Sequence, residues 1–440
     1  MTIAPLPPAS SAAAPEASRA RTPAPAPTIA AVRGRVRRSR RALLGHAGAL
    51  AAGALTGAVR MPLAFANAPG ENRFVLIVLR GGLDSLHALV PYGDDAYYRL
   101  RPAIAVPRPG KADGAIALDD RFGLHPSMRA LAARWHEREL LIVPAATTGY
   151  RNRSHFDAQN QLENGSTRPF GAPDGWLNRA IGALDDGTRG GPRSSPRPGL
   201  ALGVTTPLVL YGSAPVRGWA PSRLPAIDDD FLARLEASYA GDALLHEALR
   251  EAIAARPGLK ALADDRTDPA TRVDPFEELA TMAGRMLATS DGPRVAAIES
   301  DGWDTHTDQP RRLARRLETL DRALDALRTA LGASWRRTVV VVVSEFGRTA
   351  AENGNRGTDH GVASLALVVG GAVRGGRLLG EWPGLAAAQL HEGRDLMPTT
   401  HYTGVFKGVL REHLGIADAA LDTRVFPGQH AVRALGGLAG

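Results

Sequence analysis

Carboxylates, imidazoles and one serine recur in this sequence wherever an apolar run ends. Phe74–Leu79 leads into Gly81-Gly82-Leu83-Asp84-Ser85, and Leu140–Pro144 leads through Thr147–Arg153 into Ser154-His155-Phe156-Asp157. Arg294–Ile298 leads into Gly302-Trp303-Asp304-Thr305-His306. Val339–Val343 leads into Ser344-Glu345-Phe346-Gly347-Arg348-Thr349 and on to Gly357-Thr358-Asp359-His360-Gly361. With no cysteine among 440 residues, disulfides, thiolate metal sites, iron–sulfur clusters and cysteine nucleophiles are excluded. Any metal must be held by oxygen and imidazole, which suits one or two divalent ions such as zinc, manganese, calcium or magnesium. Asp304 and His306, two residues apart, project to the same side of an extended segment and can reach one ion.

Each group also has a purely structural use. Ser154 followed three residues on by Asp157 reads as a capping box opening a helix from Ser154 to Glu163. Asp84 after two glycines fits a turn, Glu345 a solvated strand end, and Asp359-His360-Gly361 an Asx-type turn. Joint placement separates the readings: in an open α/β sheet the ligand lies outside the carboxyl ends of the strands. Four strand ends that all deliver ligand-type residues point to a metal site.

The elements that must position these residues follow from hydrophobic patterning. The four apolar runs and Leu365–Val369 read as strands buried on both faces. Leu313, Leu317, Leu320, Leu324, Leu327 and Leu331 recur at steps of four and three with Arg and Glu between them, the stripe of a helix laid on a sheet. Strand, helix, strand in this order predicts parallel crossovers, hence an α/β fold with a doubly wound, mostly parallel sheet flanked by helices. Residues 73–432 are expected to form this domain, with a flexible Gly- and Pro-rich loop at about 185–199 and a mainly helical insertion at about 226–290.

Residues 1–66 are different in kind. They hold nine Arg and one acid, Glu16, so 44 of the 53 basic and 44 of the 45 acidic residues lie beyond residue 66. The net charge of +8 therefore belongs to this stretch and is no nucleic-acid footprint. Arg40-Arg41 precedes an apolar segment from Ala42 to about Val59, and Ala64-Phe65-Ala66 offers small residues for cleavage before Asn67. This is the layout of a twin-arginine signal peptide, followed by a linker at 67–72. It predicts the Tat translocase as a transient partner, a periplasmic or secreted location in a bacterium, and no stable membrane anchor in the mature form.

The motifs Leu79-Arg80-Gly81-Gly82-Leu83-Asp84, Phe122-Gly123-Leu124-His125-Pro126, Ser154-His155-Phe156, Gly302-Trp303-Asp304-Thr305-His306, Ser344-Glu345-Phe346-Gly347-Arg348-Thr349, Glu352-Asn353-Gly354-Asn355 and Gly357-Thr358-Asp359-His360-Gly361 resemble those of a bacterial family known as domain of unknown function 1501. That family resembles a branch of the alkaline phosphatase and sulfatase superfamily. The resemblance implies a metal-dependent hydrolase of phosphate or sulfate esters. Ser154 would be the nucleophile, His155 would serve the leaving group, and Arg348 or Arg153 would supply added charge. The implied metal ligands are Asp84, Asp304, His306, Glu345, Asp359 and His360. Where the family usually reads Thr-Thr-Asp, this chain has Thr399-Thr400-His401, an aspartate lost and a histidine gained.

Two rival readings are open to the same sequence. One is a non-catalytic binding or assembly protein that keeps the fold. The other, a metal-free serine hydrolase, lacks the Gly-x-Ser-x-Gly elbow expected for it.

Overall fold

The computed structural model describes residues 71–185, 198–221, 229–263 and 273–440. The signal-peptide segment, most of the 67–72 linker and most of the 185–199 loop lie outside the described residues. The main sheet has nine strands: β1 (Arg73–Leu79), β2 (Leu140–Thr147), β3 (Gly199–Leu202), β4 (Val216–Trp219), β5 (Val295–Ser300), β6 (Thr338–Ser344), β7 (Ser364–Val369), β8 (Arg377–Leu378) and β9 (Thr400–His401). Their order is β8-β2-β7-β6-β1-β5-β3-β4, with β9 also paired to β2. The pairings β1 with β5 and β6, β3 with β4 and β5, and β2 with β8 and β9 are parallel. Among the described strands of this sheet, only β7 runs against its neighbours, β2 and β6.

This one reversal matters for position. The C-terminal ends of β1, β2, β5 and β6 share an edge, and β7, being reversed, starts there. The segment leading into β7, which includes Asp359 and His360, therefore arrives at the edge where the other four strands deliver their polar residues.

All seven residues of β1 are buried, and for the six of Phe74–Leu79 this is what the uninterrupted apolar run predicted. Alternate side chains feed two cores. Val75, Ile77 and Leu79 join the residues of α1 (Arg129–His136), while Phe74, Leu76 and Val78 join Leu162 of α2 (His155–Asn164) and Trp176 and Leu177 of α3 (Trp176–Asp185). Three helices, α4 (Asp229–Tyr239), α5 (Ala243–Ala263) and α6 (Pro275–Ala288), fall within the stretch expected to be helical. The last of them is part of the main body: Phe276, Ala280, Ala283 and Leu287 lie in the same core as the leucine stripe.

That stripe belongs to α7 (Gln309–Leu331), where each of the six leucines is at most 4% exposed. Burial of each contributes roughly 1.5–3 kcal/mol before entropy is counted. On the opposite face α8 (Tyr402–Glu412) contributes Tyr402, Val405, Phe406 and Val409 to the second core. Helices on both faces of a mostly parallel sheet are the doubly wound arrangement expected from the sequence. Among the described residues, no helix is long and apolar enough to cross a membrane.

Candidate metal centre

Close backbone approach brings the strand ends together, and glycine permits it. After β1 the chain turns through Gly81 at φ 123° and Gly82 at φ 77°. A Cβ on Gly81 would sit 2.5 Å from the amide nitrogen of Asp304, so only glycine lets the first strand end lie against the segment carrying Asp304. Gly357 acts in the same way, since a Cβ there would lie 2.1 Å from the carbonyl oxygen of His306. These contacts set the 302–306 and 357–361 segments side by side.

Three imidazoles converge at this edge. His360 Nε2 lies 3.0 Å from His155 Nε2 and 3.0 Å from His306 Nε2. The Asp304 carboxylate closes the group: Oδ1 is 3.0 Å from His306 Nε2 and 3.3 Å from His360 Nε2, and Oδ2 is 3.6 Å from His155 Nε2. Ligand atoms of His155, Asp304 and His360 all fall within 4.8 Å of one another. Phe346, which is buried, lies beneath His155 and His360 at ring separations of 4.7 and 5.0 Å and fixes their tilt.

The outer nitrogens decide what the inner ones can do. His155 Nδ1 is 2.8 Å from Glu345 Oε1, His360 Nδ1 is 3.1 Å from the carbonyl oxygen of Arg153, and His306 Nδ1 is 3.3 Å from Asp359 Oδ1. All three partners are acceptors, an arrangement that favours the proton on each Nδ1, and in that tautomer each Nε2 would present a bare lone pair. Lone pairs facing each other at 3.0 Å repel unless a cation lies between them. Carboxylate or carbonyl partners on the far nitrogen are also what orients metal-bound histidines. For zinc, metal–nitrogen bonds of about 2.0–2.1 Å in tetrahedral geometry place ligand atoms roughly 3.3 Å apart, close to the spacings among His155, His360 and Asp304, whereas of these residues His306 neighbours only His360 and Asp304 and lies outside the group of three.

Charge is arranged to match. Burial opposes ionisation of Glu345, but hydrogen bonds from His155, Gln159 and the Gly81 amide keep its carboxyl below the usual carboxylate range. Burial also opposes ionisation of Asp304, and the adjacent Arg348 guanidinium overcomes it. Asp359 is held low chiefly by the Asn353 amide. Burial, with Arg348 and His155 close by, keeps His360 below its ordinary value.

The sequence expectations fare unequally at this site. Asp304, His306 and His360 meet as proposed ligands, and His155, expected at the leaving group, joins them with both ring nitrogens engaged. Glu345 and Asp359 stand one shell further out. Glu345 is fully buried, and its oxygens are occupied by Gly81, His155, Gln159 and Ser344, so it braces a histidine instead of facing the centre.

Asp84 lies elsewhere. It caps the short Ser85–Ala88 helix through Oδ1 and pairs Oδ2 with Arg101 at 2.8 Å and with Gln309 Nε2 at 2.5 Å. Arg101 holds the buried Asp84 carboxyl far below the usual range against the cost of burial, and neither oxygen is left for an ion.

Arg348 is also reassigned. Its side chain is fully buried and donates to the carbonyl oxygens of Gly81, Gly82, Trp303 and Thr358 as well as to Asp304. It ties the loops together and has no face for a substrate. Arg153, the other proposed cation, pairs with Asp395 and Glu392. Its φ of 61° turns its carbonyl oxygen toward His360, a left-handed conformation that costs a non-glycine residue energy and is held by its surroundings.

Ser154 occupies the N-cap position of α2 with no side-chain cap bond, and Asp157 instead accepts from the Tyr150 hydroxyl at 2.8 Å. The capping box is thus absent and the serine hydroxyl is not spent on the helix. His401 caps α8, its Nδ1 accepting from the Thr403 amide at 3.2 Å. A histidine there does the local work an aspartate would do, away from the metal centre. Gln159, Gln309 and a role for Asn353 were not evident in the sequence, because neutral amides carry no ligand signature.

A doubly wound α/β domain with a histidine-rich centre at the carboxyl edge of its sheet is the class that fold and site define. The chain belongs to the family described as "Protein of unknown function (DUF1501)", which matches residues 71–425. No curated protein matches the sequence. Among solved structures, similar chains include a 2-O GAG sulfatase, at 12% identity over 83% of this chain and 72% of that one with a TM-score of 0.37. A phosphonate monoester hydrolase of Agrobacterium radiobacter is similar at 11% identity over 79% and 74%, with a TM-score of 0.35. A putative sulfatase from Bacteroides thetaiotaomicron is similar at 10% over 69% and 65%, with a TM-score of 0.32. Likenesses at this level fix no residue correspondence.

Proposed function

We propose that this chain is an exported metal-dependent hydrolase of phosphate or sulfate esters that acts in the periplasm or outside the cell and uses Ser154 as its nucleophile. The observation that carries the metal is the convergence of three imidazole Nε2 atoms on the Asp304 carboxylate, each Nδ1 held by an acceptor. His155, His360 and Asp304 would hold one ion, with His306 beside His360 and Asp304 as a candidate further ligand. A set dominated by imidazole suits zinc and similar cations better than calcium or magnesium. When bound, the ion supplies Lewis-acid stabilisation of charge at the reacting group.

The chain's own residues supply the rest. Ser154 adjoins His155 at the N-terminus of α2, where backbone N–H groups and the helix dipole favour an anionic group. Its hydroxyl is free of capping duty and would attack the phosphorus or sulfur while the ester oxygen leaves with a proton. Arg151, exposed on the segment between β2 and Ser154, replaces the buried Arg348 as the cation for substrate charge. The ester class rests on the motif resemblance, and export rests on the twin-arginine segment.

Elemental analysis of chain purified without chelating resin tests the reading. About one ion per chain is expected, and it should be lost in an Asp304→Ala, His360→Ala double variant. Ser154→Ala should keep the metal and lose ester turnover. Folded wild type that is metal-free and cannot be reloaded would sink the proposal.

A further inference from the structure

We infer that Gln309 is a positioning residue: its side-chain amide clamps together the two segments that carry the histidines and Asp304 and anchors both to the buried Asp84–Arg101 pair. This rests on the metal reading above and assigns a role to a residue that touches neither ion nor substrate.

Gln309 is the first residue of α7 and is fully buried. Its Oε1 accepts from the Thr305 hydroxyl at 2.9 Å and from the Thr358 hydroxyl at 2.6 Å. Thr305 sits between Asp304 and His306, and Thr358 lies two residues before His360. One carbonyl oxygen therefore spans both ligand-bearing segments, and both threonines are fully buried. The amide nitrogen donates to Asp84 Oδ2 at 2.5 Å, and Asp84 pairs with Arg101. Arg101 in turn donates to the carbonyl oxygens of Thr349 and Ala350 at 2.9 Å each, just after Arg348.

Three backbone contacts run beside the clamp, from the Asp308 amide to the Asn355 carbonyl oxygen at 3.2 Å, from the Gln309 amide to that of Arg356 at 2.9 Å and from the Thr358 amide to that of Thr305 at 3.4 Å. They hold the segments close but do not set the depth of either one. The hydroxyl–amide bonds do, because each fixes a side chain within one or two residues of a ligand. The satisfied polar groups leave no freedom for water to replace one of them without unpairing the others.

The experiment compares wild type with Gln309→Met, which keeps the volume and removes all four polar contacts of the side-chain amide, the 3.1 Å contact of Nε2 with His87 Nδ1 included. Zn²⁺ affinity is measured by competition with a chelator, and amide hydrogen exchange is followed across the chain. Affinity should fall about 10–100-fold, as for loss of other outer-shell partners, while saturating stoichiometry stays the same. Exchange in 302–306 and 357–361 should rise roughly tenfold with β1 and β6 unchanged.

Faster exchange with unchanged affinity would reduce Gln309 to a stability element and overturn the inference, as would unchanged exchange in the two segments. Thr358→Val, which removes one arm only, should give a smaller affinity loss with exchange raised only in 357–361. It serves if Gln309→Met does not fold. Wild type that takes no Zn²⁺ overturns the hydrolase reading, and the exchange data alone then decide the clamp.

Discussion

Two polar clusters lie at the same edge of the sheet and use the same residue types, yet they are opposites. In the sealed cluster Asp84 and Arg101 are at most 1% exposed, and each oxygen of Asp84 meets a protein donor. In the open cluster the side chains of His155, His306, His360 and Asp304 are 25–44% exposed, and the three Nε2 atoms meet only one another and acceptor oxygens, apart from the nearby Arg348 guanidinium. In the first both oxygens of Asp84 are satisfied by protein donors, and the one buried atom left without a partner there is Nε2 of the neighbouring His87. The second gathers acceptors without matching donors, and a cation would complete it. Chemistry is therefore read from the balance of donors at a site, and residue type alone does not give it.

The contrast can be broken from the sealed side first. Arg101→Met leaves Asp84 buried without its cation, and stability should fall by about 3–5 kcal/mol in urea unfolding. A loss under 1 kcal/mol would mean that Asp84 is free to serve another partner.

A buried histidine away from both clusters sharpens the second half of the comparison. His413 is buried, donates through Nε2 to the Arg73 carbonyl oxygen at 2.9 Å, and is pushed down to about 4 by that burial. It is neutral in the folded state, whereas the unfolded chain takes up a proton near the ordinary histidine value of about 6.5. Its contribution is fully present above that pH and is lost as pH falls toward 4. The loss should reach roughly 3 kcal/mol by the shift alone, and His413→Gln should flatten the acid limb of stability against pH. An unchanged limb would assign the acid sensitivity to other groups.

Smaller effects probe the brace and the cap. Glu345→Gln removes the carboxylate behind His155 and should weaken Zn²⁺ binding 10–100-fold, about 1.4–2.7 kcal/mol, in the chelator competition. Equal affinity would place Glu345 outside the metal's support. Ser154→Ala should cost under about 0.5 kcal/mol in thermal unfolding, below the ~1 kcal/mol typical of a working N-cap. A full cap penalty would restore the capping reading of the serine.

The limits of the sequence are visible at particular residues. Asp304, His306 and His360 were legible because strand-end placement is itself a sequence pattern, and β1, β5, β6 and the α7 stripe declare themselves by periodicity. Asp84, Glu345 and Asp359 carry the same signature. What separates them is which donors their oxygens meet, and those donors are distant in sequence: Arg101 for Asp84, Gly81 and Gln159 for Glu345, and Asn353 for Asp359. The surroundings of His155 were hidden for the same reason, because its partners Glu345 and His360 lie about 200 residues away.

By itself the sequence determined the layers, since buried strands and a leucine-striped helix follow from local hydrophobic period. It also determined the absence of thiolate chemistry and the edge at which polar residues gather. Only the tertiary structure decided which of those residues face one another. Convergence depends on the reversed direction of β7, on Gly81 and Gly357 letting backbones touch, and on Gln309 joining two loops. Hydrogen-bond balance at a site is summed over groups far apart in the chain, and no local pattern encodes that sum.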